Sequence, residues 1–150
     1  MKTKIIALII ASGSFATAAE KIKAPNGGRI IDSVEPHAEF LVTKDKKIEI
    51  RFLDAAGKVI APATQIVSVV MGDRAAPTKL TFTIDGDELV SDKVVAEGES
   101  LPVVLTIKTT PDAKAVNEKF NLNLATCPTC ENAEYACNCD HAHDEKGHKH

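Results

Sequence analysis

Ile48-Glu49-Ile50-Arg51-Phe52 alternates apolar and charged side chains without a break. Successive side chains of an extended chain point to opposite faces, so this run turns Ile48, Ile50 and Phe52 inward and leaves Glu49 and Arg51 in water. The same period of two recurs downstream in Leu80-Thr81-Phe82-Thr83-Ile84, in Val103-Val104-Leu105-Thr106-Ile107 and in Phe120-Asn121-Leu122-Asn123-Leu124. Upstream, Ala38, Phe40 and Val42 make a further run, and Gln65 to Met71 is nearly all apolar, as a central strand would be. From Arg29 to Leu124 the period is two and not 3.6. About eight short strands at this spacing predict an all-β domain, an antiparallel immunoglobulin-like β-sandwich. Its expected core is Phe40, Ile50, Phe52, Val69, Phe82, Leu105 and Leu122.

Turn chemistry separates the runs. Asn26-Gly27-Gly28, Asp54-Ala55-Ala56-Gly57, Gly72-Asp73, Asp85-Gly86-Asp87 and Gly98 supply residues that tolerate positive φ. Pro36, Pro62, Pro77, Pro102 and Pro111 fall between runs, where a missing N–H breaks no ladder. Thr110-Pro111-Asp112 has the chemistry to start a short helical turn before the last strand.

Composition narrows the function classes. The 150 residues carry 18 Lys+Arg against 21 Asp+Glu, a net charge of −3, and no basic cluster, which argues against a nucleic-acid partner. No Gly-rich phosphate loop follows a strand and no serine sits in a nucleophile elbow, so the chain does not read as an enzyme. Residues 1–18 read as a secretory signal peptide. Lys2 and Lys4 precede an apolar stretch from Ile5 to about Phe15, and Ala16-Thr17-Ala18 offers small residues for cleavage. That stretch is shorter than the roughly 20 apolar residues of a spanning helix, so no stable membrane anchor is expected. The expected compartment is periplasmic or secreted, where thiols meet oxidising conditions.

In the body, His37 and Glu39 fall on one face of a strand, opposite Ala38 and Phe40. An imidazole beside a carboxylate is either an exposed polar pair or a secondary metal site. The run from Gly27 to Val42 resembles the N-terminal β-domain of periplasmic adaptor subunits of heavy-metal efflux systems, and of small secreted proteins with the same module. Their pattern is a His-Gly-Gly turn followed by a His-x-Glu strand. Here the glycines are Gly27 and Gly28, the pair is His37 and Glu39, and Asn26 stands in the place of the first histidine. The resemblance implies a metal-efflux or other envelope protein as partner.

After the domain of residues 19–125 the composition changes abruptly. Cys127, Cys130, Cys137 and Cys139 lie within thirteen positions, and His141, His143, His148 and His150 follow. Residues 126–150 hold one large apolar side chain, Tyr135, so the expectation is a disordered tail that packs against nothing. Thiolate and imidazole are the ligands that zinc and copper(I) prefer. A Cys-x-x-Cys turn aims two sulfurs at one ion, and Cys-x-Cys brings a second pair into reach. The segment from Cys127 to Cys139 also resembles the Cys-rich sequence of bacterial metallothioneins. The functional expectation is a metal-binding protein that buffers, sequesters or transfers zinc or copper. The alternative is an interaction module outside the cytoplasm whose four cysteines form disulfides.

Overall fold

The structure, a computed structural model, describes residues 21–139. The expected signal peptide and the four histidines of the tail lie outside the described residues. Among the described residues nine strands form, all paired antiparallel: β1 (Arg29–Ile31), β2 (His37–Val42), β3 (Lys47–Leu53), β4 (Val59–Ile60), β5 (Ile66–Met71), β6 (Thr78–Asp85), β7 (Glu88–Val94), β8 (Leu101–Lys108) and β9 (Val116–Leu122). Their order is β1-β2-β3-β7-β6-β5-β8-β9, with β4 paired to β3. Strand β6 belongs to both layers. Thr78 to Thr81 pair with β5, whereas Phe82 to Asp85 pair with β7. The sheet therefore folds over on itself at β6 and brings β1 and β9, the two ends of the path, toward each other.

The alternation does what the sequence predicts in β3, where Ile48, Ile50 and Phe52 are wholly buried. Phe40, Val69, Leu105 and Leu122 join them in the core. Phe82 is only partly buried, because it stands at the corner where β6 leaves one layer for the other. In β5 the apolar run alternates after all: Val67, Val69 and Met71 are buried while Ile66 and Val70 face outward. Thr110 to Ala113 form a turn closed by Ala113 N–H on Thr110 O (3.1 Å), without a helix.

Strand β7 escapes simple alternation because Ser91 occupies a core position at 3% exposure. The β3–β7 register shifts between Lys47 and Glu49, so Ile48 N–H has no ladder partner there. Ser91 Oγ accepts it at 3.0 Å and donates to Lys93 O at 2.7 Å. A buried hydroxyl satisfied on both sides repairs the bulge.

Glu39 departs from the pattern in the other direction. Its neighbours Ala38 and Phe40 are buried in the core, yet Glu39 is also 0% exposed on the opposite face of β2. The Asn26-Gly27-Gly28 turn folds over it. Asn26 N–H (2.9 Å) and Gly28 N–H (2.9 Å) donate to Glu39 Oε1, and Asn26 Nδ2 donates to Oε2 (3.0 Å). An added Cβ at Gly28 would sit 2.5 Å from Phe40 O, so only glycine allows the turn to come this close.

The seam between β1 and β9 has no backbone ladder among the described residues. Side chains close it. Phe40 meets Phe120 edge-on at 5.1 Å, the Arg29 guanidinium lies 4.8 Å over the Phe120 ring, and Ser33 Oγ donates to Glu118. The rest of the seam is filled by the segment expected to be an independent tail. Its described part, up to Cys139, packs onto the domain: Tyr135 is 4% and Ala136 5% exposed, and both belong to the core. One aromatic ring with a hydroxyl handle is enough apolar surface to dock a segment otherwise too polar to fold.

Candidate metal centre

The docked segment is a hairpin built on the end of β9. Tyr135 N–H donates to Asn123 O (3.1 Å), Glu134 N–H to Ala125 O (2.8 Å) and Cys127 N–H to Asn132 O (2.8 Å), with a bridge between Thr126 and Ala133. The hairpin bends tightly around Cys127-Pro128-Thr129-Cys130, then enters a single 3-10 turn, Glu134–Ala136. Cys137 N–H closes that turn on Glu134 O at 3.2 Å. The turn thereby carries Cys137 and Cys139 back over Cys127 and Cys130.

The four sulfurs converge. Cys127 Sγ lies 3.3 Å from Cys137 Sγ, Cys130 Sγ lies 3.5 Å from Cys137 Sγ, and all four are within 4.8 Å of one another. None is in a disulfide. Zinc bound to four thiolates at about 2.3 Å in a tetrahedron sets neighbouring sulfurs about 3.8 Å apart, so the spacing fits a four-sulfur site that needs only small adjustment. Cys127 is buried at the back, and the other three are half-buried at the mouth.

Without a cation, two of the four thiols hold their protons more tightly than usual. The Cys139 thiol is pushed up to about 12, first by its hydrogen bond with Cys130, then by that with Cys137, by burial and by the neighbouring sulfur charges. For Cys137 the strongest single influence is the Cys139 N–H, which pulls the thiol down. Hydrogen bonds with Cys127 and Cys130, together with burial, outweigh it and leave Cys137 raised. Four crowded sulfurs cannot all ionise beside one another unless positive charge sits between them. A soft cation supplies that charge and takes the place of the protons.

Beside the centre opens a cleft of about 970 Å³, with Lys21, Lys23, Gly27, His37, Asn132 and Cys137 among its walls. No protein-family model, no curated protein and no solved structure matches the chain. The functional reading therefore rests on the geometry and the sequence.

The structure brings Cys127, Cys130, Cys137 and Cys139 together, as their spacing suggested. Among the described residues they are the one such convergence of three or more His, Cys, Asp or Glu side chains. His37 and Glu39 do not join it. His37 Nδ1 is 2.8 Å from Val34 O and its Nε2 is 3.7 Å from Glu35, while both Glu39 oxygens are engaged by the Asn26–Gly28 turn. His141, His143, His148 and His150 lie outside the described residues. Sequence reasoning missed Tyr135 as the anchor of the loop and Glu39 as the strut of the turn beside it. The signals were a lone aromatic in a polar segment and a Gly-Gly turn whose N–H groups needed an acceptor.

Proposed function

We propose that this chain is a metal-binding protein working outside the cytoplasm, which holds zinc or copper(I) in its four-cysteine centre and buffers, sequesters or passes on that ion. The convergence of four sulfurs within 4.8 Å, none of them in a disulfide, carries this reading. Thiolate donors select soft and borderline ions, and a four-sulfur set closes the coordination sphere of zinc. A closed sphere leaves no open position for substrate, which favours storage or transfer over catalysis. The export signal read at residues 1–18 supports a periplasmic or secreted location. The resemblance at Gly27, Gly28, His37 and Glu39 supports a metal-efflux or other envelope protein as the recipient. His141, His143, His148 and His150 extend the ligand supply next to Cys139 and suit a second, weaker equivalent.

The test uses the mature, reduced protein. Elemental analysis after loading and desalting is compared with free-thiol titration, for the wild type and for a variant with Cys127, Cys130, Cys137 and Cys139 all replaced by Ser. One tightly held ion in the wild type, absent from the variant, is the expected result. No uptake by the reduced wild type, with the four cysteines paired as disulfides in the protein as isolated, would sink the proposal in favour of the interaction module.

A further inference from the structure

The cysteine loop is fastened to the domain chiefly through one inserted side chain. Tyr135 lies with its ring edge-on to Phe40 at 5.9 Å, and its Oη accepts the Val42 N–H of β2 at 2.9 Å. Its carbonyl accepts Arg29 Nη1 of β1 at 3.3 Å, and that guanidinium covers Phe120 of β9. Tyr135 thus touches β2, and through Arg29 the two seam strands β1 and β9. Two residues further on, Cys137 Sγ stands 3.3 Å from Cys127 Sγ. A 3-10 turn rises about 2 Å per residue, so ring and sulfur are joined by a short stiff element and cannot move far independently. A second contact points the same way: a Cβ added to Gly27 would come within 3.2 Å of Asn132 Oδ1, so the cysteine loop also rests on the turn that Glu39 holds.

We infer that the metal centre and the β1–β9 seam are one cooperative unit, in which Tyr135 positions the four sulfurs and an ion bound to them locks the seam shut. The inference rests on the metal-binding reading and adds a regulatory consequence to it. Coupling between two events is reciprocal: whatever the docked ring contributes to metal affinity, the metal returns to docking. A loop that wraps its ion equally well docked or detached would show no such coupling, since a ligand without differential affinity shifts nothing. The docked state is expected to bind better because it has already ordered the hairpin, a cost that a detached loop must meet on binding.

The chain has one Tyr and no Trp, so tyrosine fluorescence and near-ultraviolet dichroism report the docking of residue 135 with no other tyrosine or tryptophan signal. The full mature chain, reduced, is titrated with zinc alone while amide exchange is followed at Val42. One equivalent of zinc should slow exchange at Val42, sharpen the tyrosine signal and raise Tm. In Tyr135→Ala, zinc should still bind at one equivalent but at least tenfold more weakly, although no ligand has changed. Tyr135→Phe keeps the ring and should stay within about threefold of the wild type, losing only the extra protection at Val42. If the wild type binds one zinc while Val42, the tyrosine signal and Tm stay unchanged, the coupling is refuted and the metal reading stands. If the reduced wild type binds no zinc, both fall. Should Tyr135→Ala fail to fold, the comparison of apo and zinc-loaded wild type still decides.

Discussion

Replacing Glu39 separates the two roles that a buried carboxylate in β2 can have. The side chain is 0% exposed and accepts three hydrogen bonds from Asn26 and Gly28. In Glu39→Ala the Gly28 N–H, which is buried, loses its acceptor, at a cost of about 1–3 kcal/mol. The two donors of Asn26 are only part-buried, so water recovers most of theirs. The void left by the side chain adds roughly 1 kcal/mol, for an expected loss of about 3 kcal/mol. Glu39→Gln keeps an oxygen for Asn26 N–H and Gly28 N–H, and the Asn26 amide can turn to face the new NH₂. Only the charge assistance goes, about 1 kcal/mol. Urea unfolding in metal-free reducing buffer, read as a change in midpoint at constant slope, measures both. Equal losses for the two variants would show that the acceptor geometry is irrelevant. A stable Glu39→Ala variant that binds one metal ion fewer would show that Glu39 is a ligand and not a strut.

Three further outcomes follow from the geometry. Truncation after Ala125 removes Tyr135 from the core and should cost about 3–5 kcal/mol, the range for deleting a buried aromatic, whereas truncation after Cys139 should cost little; thermal melts of the two chains in metal-free buffer decide. The apo protein should lose stability as pH rises from about 9, because the unfolded chain gives up the Cys139 proton near its ordinary 9.0 while the folded chain holds it up to about 12, so the folded state binds more protons in that window. Unfolding midpoints measured across that range should fall for the wild type and fall less steeply for Cys139→Ser, where only the raised Cys137 thiol remains. Arg29→Met should cost no more than about 1 kcal/mol in urea unfolding. It loses the bond to Tyr135 O and the contact with Phe120, but it also removes Nε, a buried nitrogen with no hydrogen-bond partner.

The strands that were easiest to read are those whose period is uninterrupted. Ile48-Glu49-Ile50-Arg51-Phe52 declares its inward face because each position answers to one face only. β7 was hidden because Ser91 does backbone repair at a core position, and a hydroxyl there looks like solvent in a pattern of apolar and polar letters. Glu39 misleads for a related reason: its partner is a turn eleven to thirteen residues away, and alternation within β2 carries no information about what folds over the outer face. The four cysteines were legible from spacing, since short loops bring Cys127 near Cys130 and Cys137 near Cys139 whatever the fold. That the two pairs meet over the end of β9, with Tyr135 beneath them, depends on a side chain 93 residues away from its hydrogen-bond partner Val42. No local pattern encodes a contact of that range.

The cleft beside the sulfurs has one further consequence. Its walls come from Lys21 to Ala24 on one side and from Asn132 to Asn138 on the other, so the first and last described stretches of backbone meet at one place. The described chain therefore begins and ends at the same end of the domain. The order in which the strands are threaded is correspondingly arbitrary: bridging the two ends and opening the chain at Gly86 would leave every ladder paired.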